Sequence, residues 1–181
     1  LVGGILALFL SGCYFALRNV FPLDVTVILI IIVSLLSTGA FHEDGLADMA
    51  DGIGGGLTVE RRLAIMKDSR IGTYGTVSLV LSLMLKFTLL LALAKQQLFI
   101  PSLIIAYTVS RTLAATLIFN TAYVTDDETS KSKPLASQQS KTELMIVMLT
   151  AILSLLLLHD QPWFIVFSVS IVIVLVLFRT L

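Results

Sequence analysis

Two stretches without a single charge constrain this chain more than any other feature: Val25–Phe41, 17 residues, and Gln161–Phe178, 18 residues. A helix needs about 20 mostly apolar residues to cross a bilayer, whereas soluble domains scatter their apolar residues in shorter patches. The charged fraction is 13%, roughly half the ~25% of a soluble domain. The expected architecture is therefore all-α, a polytopic integral membrane protein with about six transmembrane helices in a lipid bilayer. The segments are 1–17, 23–41, 74–94, 98–120, 143–158 and 162–179.

The first segment begins without an initiator Met or a basic flank, so it reads as a helix entered partway rather than a signal peptide. Its residues 1–17 rise only about 25 Å against a hydrocarbon core of about 30 Å, so its start is expected upstream. Cys13 is the only cysteine, which excludes an intramolecular disulfide. Net charge is zero and no basic run is present, so nucleic acid is not an expected partner. Residues 1–181 read as a single transmembrane domain with two sizeable loops, 42–73 and 121–142.

Six crossings put both loops and the C-terminal end on one side. That side holds Arg61, Arg62, Lys67, Arg70, Lys131, Lys133, Lys141 and Arg179, while the other holds only Arg18 and Lys95. The excess of basic residues assigns loops 42–73 and 121–142 to the cytoplasm.

The first of these loops opens on "FHEDGLADMADGIGGG", four carboxylates in nine residues at the edge of a membrane span. If the second helix continues through it, Asp44, Asp48 and Asp51 fall at i, i+4 and i+7, one face, with Glu43 flanking. Like charges so placed destabilise a helix by about 0.2–0.5 kcal/mol per pair, and lower dielectric sharpens the repulsion. A solvated acidic face is the plain alternative, but such faces usually alternate in sign. A hard cation suits the pattern: Mg²⁺ takes oxygen ligands, usually one or two carboxylates together with substrate phosphates. Glu43, Asp44, Asp48 and Asp51 are the candidate metal ligands.

Gly52, Gly54, Gly55 and Gly56 follow at once. They read either as a helix stop and flexible turn or as a backbone cradle for phosphate, with Gly52 and Gly55 in contact with substrate. Thr58 is then a plausible N-cap, and Val59, Leu63 and Met66 stripe a short amphipathic helix at the membrane surface. That helix returns Asp68, Ser69 and Arg70 to the mouth of the third span. Arg70 is suited to bidentate phosphate binding, with Asp68 orienting it or joining a metal site; an interfacial salt bridge is the structural alternative. Lys86 and Arg111 lie inside spans, where ionisable residues are costly and usually face a cavity or a partner. Each either neutralises phosphate or pairs with the aspartates; snorkelling also accounts for Arg111 near the interface.

The stretch His42-x-Asp44-Gly45-Leu46-Ala47-Asp48-x-x-Asp51-Gly52, then Asp68-Ser69-Arg70-x-Gly72-Thr73-x-Gly75, closely resembles the cobalamin synthase family, the adenosylcobinamide-GDP ribazoletransferases. Lys86 and the Ser110–Arg111 pair also match family positions, and the resemblance covers nearly the whole chain. It implies a multi-pass enzyme of the cell (inner) membrane, its active site facing the cytoplasm, acting late in cobalamin biosynthesis. The ribose 3'-hydroxyl of α-ribazole, or of its 5'-phosphate, attacks the cobinamide-linked phosphorus of adenosylcobinamide-GDP. GMP leaves, and adenosylcobalamin or its 5'-phosphate forms, with Mg²⁺ as cofactor. The implied roles are metal binding for Asp44, Asp48 and Asp51, with Glu43 a weaker candidate. Arg70, Lys86 and Arg111 stabilise phosphate, Ser69 contacts substrate, and Asp68 or His42 serves as general base. His42 reads equally as an interfacial anchor. Family members also carry an N-terminal arm and continue past a stretch like Arg179–Thr180–Leu181 into a Gly/Thr/Asp-containing motif, which this sequence does not include. The oligomeric state is left open, a homo-oligomer included.

Two other functions compete. Asp48-x-x-Asp51-Gly52 also opens the signature of the CDP-alcohol phosphotransferases of phospholipid synthesis, but the Ala-Arg pair and the later paired aspartates are missing. A cation transporter would spread carboxylates along several spans near the midplane, whereas these cluster at one rim.

Overall fold

The computed structural model describes residues 2–120 and 140–158, together with Val169 and Ile173. Among these every regular element is helical: α1 (Val2–Arg18), α2 (Leu23–Thr38), α3 (Phe41–Gly55), α4 (Val59–Met66), α5 (Thr73–Lys95), α6 (Phe99–Asn120) and α7 (Lys141–Leu155). A 3₁₀ turn, Leu156–Leu158, closes α7. The chain is an all-helical membrane protein. Two described helices are long and apolar enough to cross a bilayer alone, Thr73–Lys95 and Phe99–Phe119, and α2 with α3 makes a third only if the bent pair is one span. α1 and α7 are apolar but shorter, at 17 and 15 residues. The expected loop 121–142 and span 162–179 fall almost wholly outside the described residues.

The apolar run through Phe41 suggests one continuous helix into the acidic stretch, but the chain breaks it. Gly39 and Ala40 both adopt left-handed backbone, φ 61° and 54°. The Gly39 N–H donates to the Leu36 carbonyl at 3.3 Å and the Ala40 N–H to the Leu35 carbonyl at 2.9 Å. This double bond pattern is the Schellman termination, for which glycine is the usual residue. α3 then leaves at 85° to α2. That turn makes α3, with its four acids, a helix of its own and not a straight continuation of α2.

Two compact units emerge, Leu1–Ser11 with Ile100–Leu181, and Gly12–Phe99, so that α1 contributes to both. In the first, small and hydroxylated residues let helices approach. The Thr108 hydroxyl donates to Ser154 Oγ at 2.8 Å and that of Thr112 to the Val147 carbonyl at 3.1 Å, beside a core of Ile105, Val109 and Ala151. Hydroxyls bonded across helices are a common device where water is absent. In the second, Val27, Ile30 and Ile31 of α2 are buried, and α3 packs on both α4 and α5. Val77, Val80, Leu81, Met84, Leu85 and Leu89 of α5 stay exposed, an apolar stripe suited to lipid.

Candidate active site

α3 carries the acidic stretch as a helix with its own N-terminus, so each carboxylate has a different environment. Glu43 and Asp44 lie in the first turn, where the helix dipole favours negative charge by about 0.3–1 kcal/mol at exposed sites. Glu43 also faces α5: its Oε1 is 3.8 Å from Lys86 Nζ, while its Oε2 is buried without a hydrogen-bond partner. Asp51, at 8% exposure, accepts from the Gly72 N–H at 2.7 Å and the Gly75 N–H at 2.8 Å. Asp44 is exposed and Asp48 half-buried, and neither has a hydrogen bond or ion pair among the described residues. Burial first, then the charges of Asp44 and Asp51, push the Asp48 carboxyl above its usual value.

This answers how so much charge holds together. Lys86 offsets Glu43 and backbone donors offset Asp51, while Asp44 has the helix end. Asp48 has nothing. No group of three His, Cys, Asp or Glu side chains converges among the described residues. A pair does remain, one helical turn apart, and a pair is what Mg²⁺ ordinarily takes from protein. Asp48, without a donor among the described residues, and the orphaned Glu43 oxygen are features that a cation would satisfy.

The glycines differ from their reading as a turn. Gly52, Gly54 and Gly55 are helical, with their N–H groups engaged in α3, and Gly56 caps it. They serve packing instead. A Cβ on Gly52 would lie 2.8 Å from Met66 Cγ, and one on Gly54 2.5 Å from the Tyr74 ring. No free loop of N–H groups exists at Gly52 or Gly55 to cradle phosphate. Arg62 finishes the helix, its Nε donating to the Gly56 carbonyl at 2.9 Å.

α4 starts where the sequence suggests: the Thr58 hydroxyl oxygen accepts from the Arg61 N–H at 3.3 Å. Beyond it, Arg70 Nη2 is 2.7 Å from Asp68 Oδ2 and Nε 3.1 Å from Oδ1, and the Arg70 N–H also donates to Oδ1 at 3.1 Å. These bonds hold the Asp68 carboxyl down at about 2. So acidic a group is a weak proton acceptor, and Asp68 acts here as the orienter of Arg70. One two-pronged edge of the guanidinium is taken by Asp68, and the remainder of this 87% exposed side chain is open to an anion. Ser69 is exposed beside it. His42 is exposed on α3 with its ring edge-on to Phe41.

Arg111 belongs to the other unit. Its guanidinium stands 5.2 Å from the Tyr107 ring centroid and Nη1 donates weakly to the Tyr107 carbonyl at 3.5 Å, with no carboxylate partner among the described residues. Sequence reasoning missed Tyr107, Tyr74, Arg62 as a helix cap, and above all the target of Asp51. The last had a signal: α5 begins on Gly72, which has no side chain to cap it, so the cap must come from elsewhere.

The family model described as cobalamin-5-phosphate synthase matches residues 1–181. The adenosylcobinamide-GDP ribazoletransferase of Vibrio vulnificus (strain YJ016) is 54% identical over 154 residues, 85% of this chain and 60% of that protein. The proteins of the same name from Vibrio parahaemolyticus and Shewanella woodyi are each 54% identical, covering 92% and 86% of this chain and 63% and 60% of their own lengths. The chain thus spans about three fifths of the curated relatives it matches. No solved structure matches it. With the family model covering every residue, the chain belongs to the cobalamin-5-phosphate synthase family.

Proposed function

We propose that this chain carries the site of a Mg²⁺-dependent adenosylcobinamide-GDP ribazoletransferase. It transfers the cobinamide-phosphate group to α-ribazole or its 5'-phosphate and releases GMP. One observation supports this most: Asp44 and Asp48 are the two carboxylates of α3 with no side-chain donor or ion pair among the described residues, in a unit that also carries the exposed Arg70. The name of the relatives supplies the substrate class. When bound, Mg²⁺ supplies neutralisation of diphosphate charge, the main requirement of phosphoryl transfer. Asp44 and Asp48 would hold it. Arg70, pre-set by Asp68, offers its free edge to phosphate oxygens, and Lys86 keeps Glu43 from adding an uncompensated charge. The Lys and Arg bias supports a site on the cytoplasmic face of the cell membrane, where its nucleotide substrate is available.

The test is GMP release from adenosylcobinamide-GDP by the full-length protein in detergent, with and without α-ribazole and Mg²⁺. Release that requires both supports the reading. Turnover of a cytidine diphosphate donor instead would favour an alcohol phosphotransferase, and release indifferent to Mg²⁺ would remove the metal from the scheme.

A further inference from the structure

We infer that Asp51 is a positioning residue, a latch that fixes the start of α5 to α3, and is not a ligand of the catalytic ion. This rests on the metal reading above for what it excludes, but its geometry stands alone. A capping box satisfies the N-cap and N3 backbone donors of a helix with two local side chains. In α5 those positions are Gly72 and Gly75, and neither has a side chain. A single carboxylate from α3, 21 and 24 residues earlier in the chain, takes both donors at once. Charge-assisted bonds of this kind are about twice as strong as neutral ones, and a negative group is favoured at a helix N-terminus.

Both glycines are required by that approach. A Cβ on Gly72 would lie 2.5 Å from Asp51 Oδ1, and one on Gly75 would collide with Asp51 Oδ2 and come within 2.9 Å of the Ala47 carbonyl. The Gly-Thr-x-Gly stretch and the last aspartate of the acidic stretch are thus two halves of one joint. Its nearest chemical consequence is Arg70, which stands two residues before the first latched N–H. With the joint made, the Asp68–Arg70 segment enters α5 at a fixed place relative to α3. With it broken, the segment loses that reference while every candidate metal ligand stays intact.

The test separates anchoring from ligation in the full-length protein in nanodiscs. Mn²⁺ binding is followed by electron paramagnetic resonance, and hydrogen exchange by mass spectrometry over residues 67–76. Asp51→Asn is expected to lose exchange protection there and to lower kcat tenfold or more, while Mn²⁺ affinity stays within about twofold of wild type. Asp48→Asn should do the reverse, weakening Mn²⁺ tenfold or more with protection unchanged. Gly75→Ala keeps every carboxylate, so it should reproduce the exchange and kcat loss of Asp51→Asn. Equal loss of Mn²⁺ affinity in Asp51→Asn and Asp48→Asn, with 67–76 still protected in the former, overturns the inference. Should wild type bind no Mn²⁺, the metal reading fails and exchange alone decides the latch: protection lost in Asp51→Asn and Gly75→Ala supports it, protection kept refutes it.

Discussion

Replacing Asp48 by asparagine should make the metal-free protein more stable and the metal-loaded protein less so. Asp48 has like charges four residues before it and three after, Asp44 and Asp51, and no donor among the described residues. At about 0.2–0.5 kcal/mol per like-charge pair on a helix, relief of both gives about 0.4–1 kcal/mol. Asparagine keeps the shape and forfeits no hydrogen bond, because none is made. For a chain of this size that gain corresponds to about 1–4 °C in the unfolding midpoint. The pH dependence follows from the raised carboxyl. Between its ordinary value of 3.8 and its raised one, the folded state holds more protons than the unfolded state. Stability from this group therefore falls as pH rises through that window, and the penalty is complete above it. Wild type carries the penalty at pH 7, and Asp48→Asn does not. Saturating Mg²⁺ at a hundredfold excess over Kd adds about 2.7 kcal/mol to a protein that binds it, reversing the order. Thermal unfolding in detergent, in chelator and in Mg²⁺ at pH 4 and 7, reads all four corners. A variant less stable than wild type in chelator at pH 7, or equal stabilisation of both by Mg²⁺, would refute the reasoning.

Other outcomes follow from the same structure. Lys86→Met removes the cation 3.8 Å from the half-buried Glu43 and should cost about 1–2 kcal/mol; adding Glu43→Gln should recover most of it in a double-mutant cycle. Thr58→Ala should loosen the first turn of α4 by about 1 kcal/mol, seen as faster amide exchange over residues 59–62 without loss of insertion. In Asp68→Asn the Arg70 side chain loses its orienting carboxylate, so KM for the diphosphate substrate should rise more than kcat falls. Because the wild-type group sits at about 2, any acid limb in wild-type activity between pH 4 and 7 should persist in this variant. In a Cys13→Ser background, cysteines at Thr58 and Gln97 should label from opposite sides of the membrane, Thr58 from the cytoplasm.

Much of the molecule was legible because it rests on short-range rules. Thr58 before an apolar stripe gave α4, and Asp68 two residues before Arg70 gave the oriented guanidinium. The helical phase of Asp44, Asp48 and Asp51 survived a wrong assumption about continuity. The break at Gly39–Ala40 was passed over because it lies inside a long uncharged run, and Ala40, a non-glycine residue in left-handed backbone, carries no signal in the sequence. Gly52 and Gly54 looked like a loop because composition cannot tell a glycine that turns from one that admits Met66 or Tyr74. The partner of Asp51 lies more than 20 residues along the chain, beyond any periodicity. Arg111 matched a family position, yet its guanidinium contacts among the described residues, to Tyr107, are one turn back on its own helix.

The elbow after α2 also says something about the lipid around it. Sixteen residues of α2 reach about 24 Å, some 6 Å short of a typical hydrocarbon core. The next helix cannot make up the difference, since it departs at 85° and carries Glu43 and Asp44 in its first turn. Where α2 crosses alone, headgroups and water would have to sink to meet those charges, as a short hydrophobic stretch draws the bilayer thin. The protein would sit in a dimple of its own making, its polar floor below the level of the surrounding leaflet. Chain length of the host lipid then becomes a control on access to the site: reconstitution in longer-chain phosphatidylcholine should slow turnover progressively, and shorter chains should restore it.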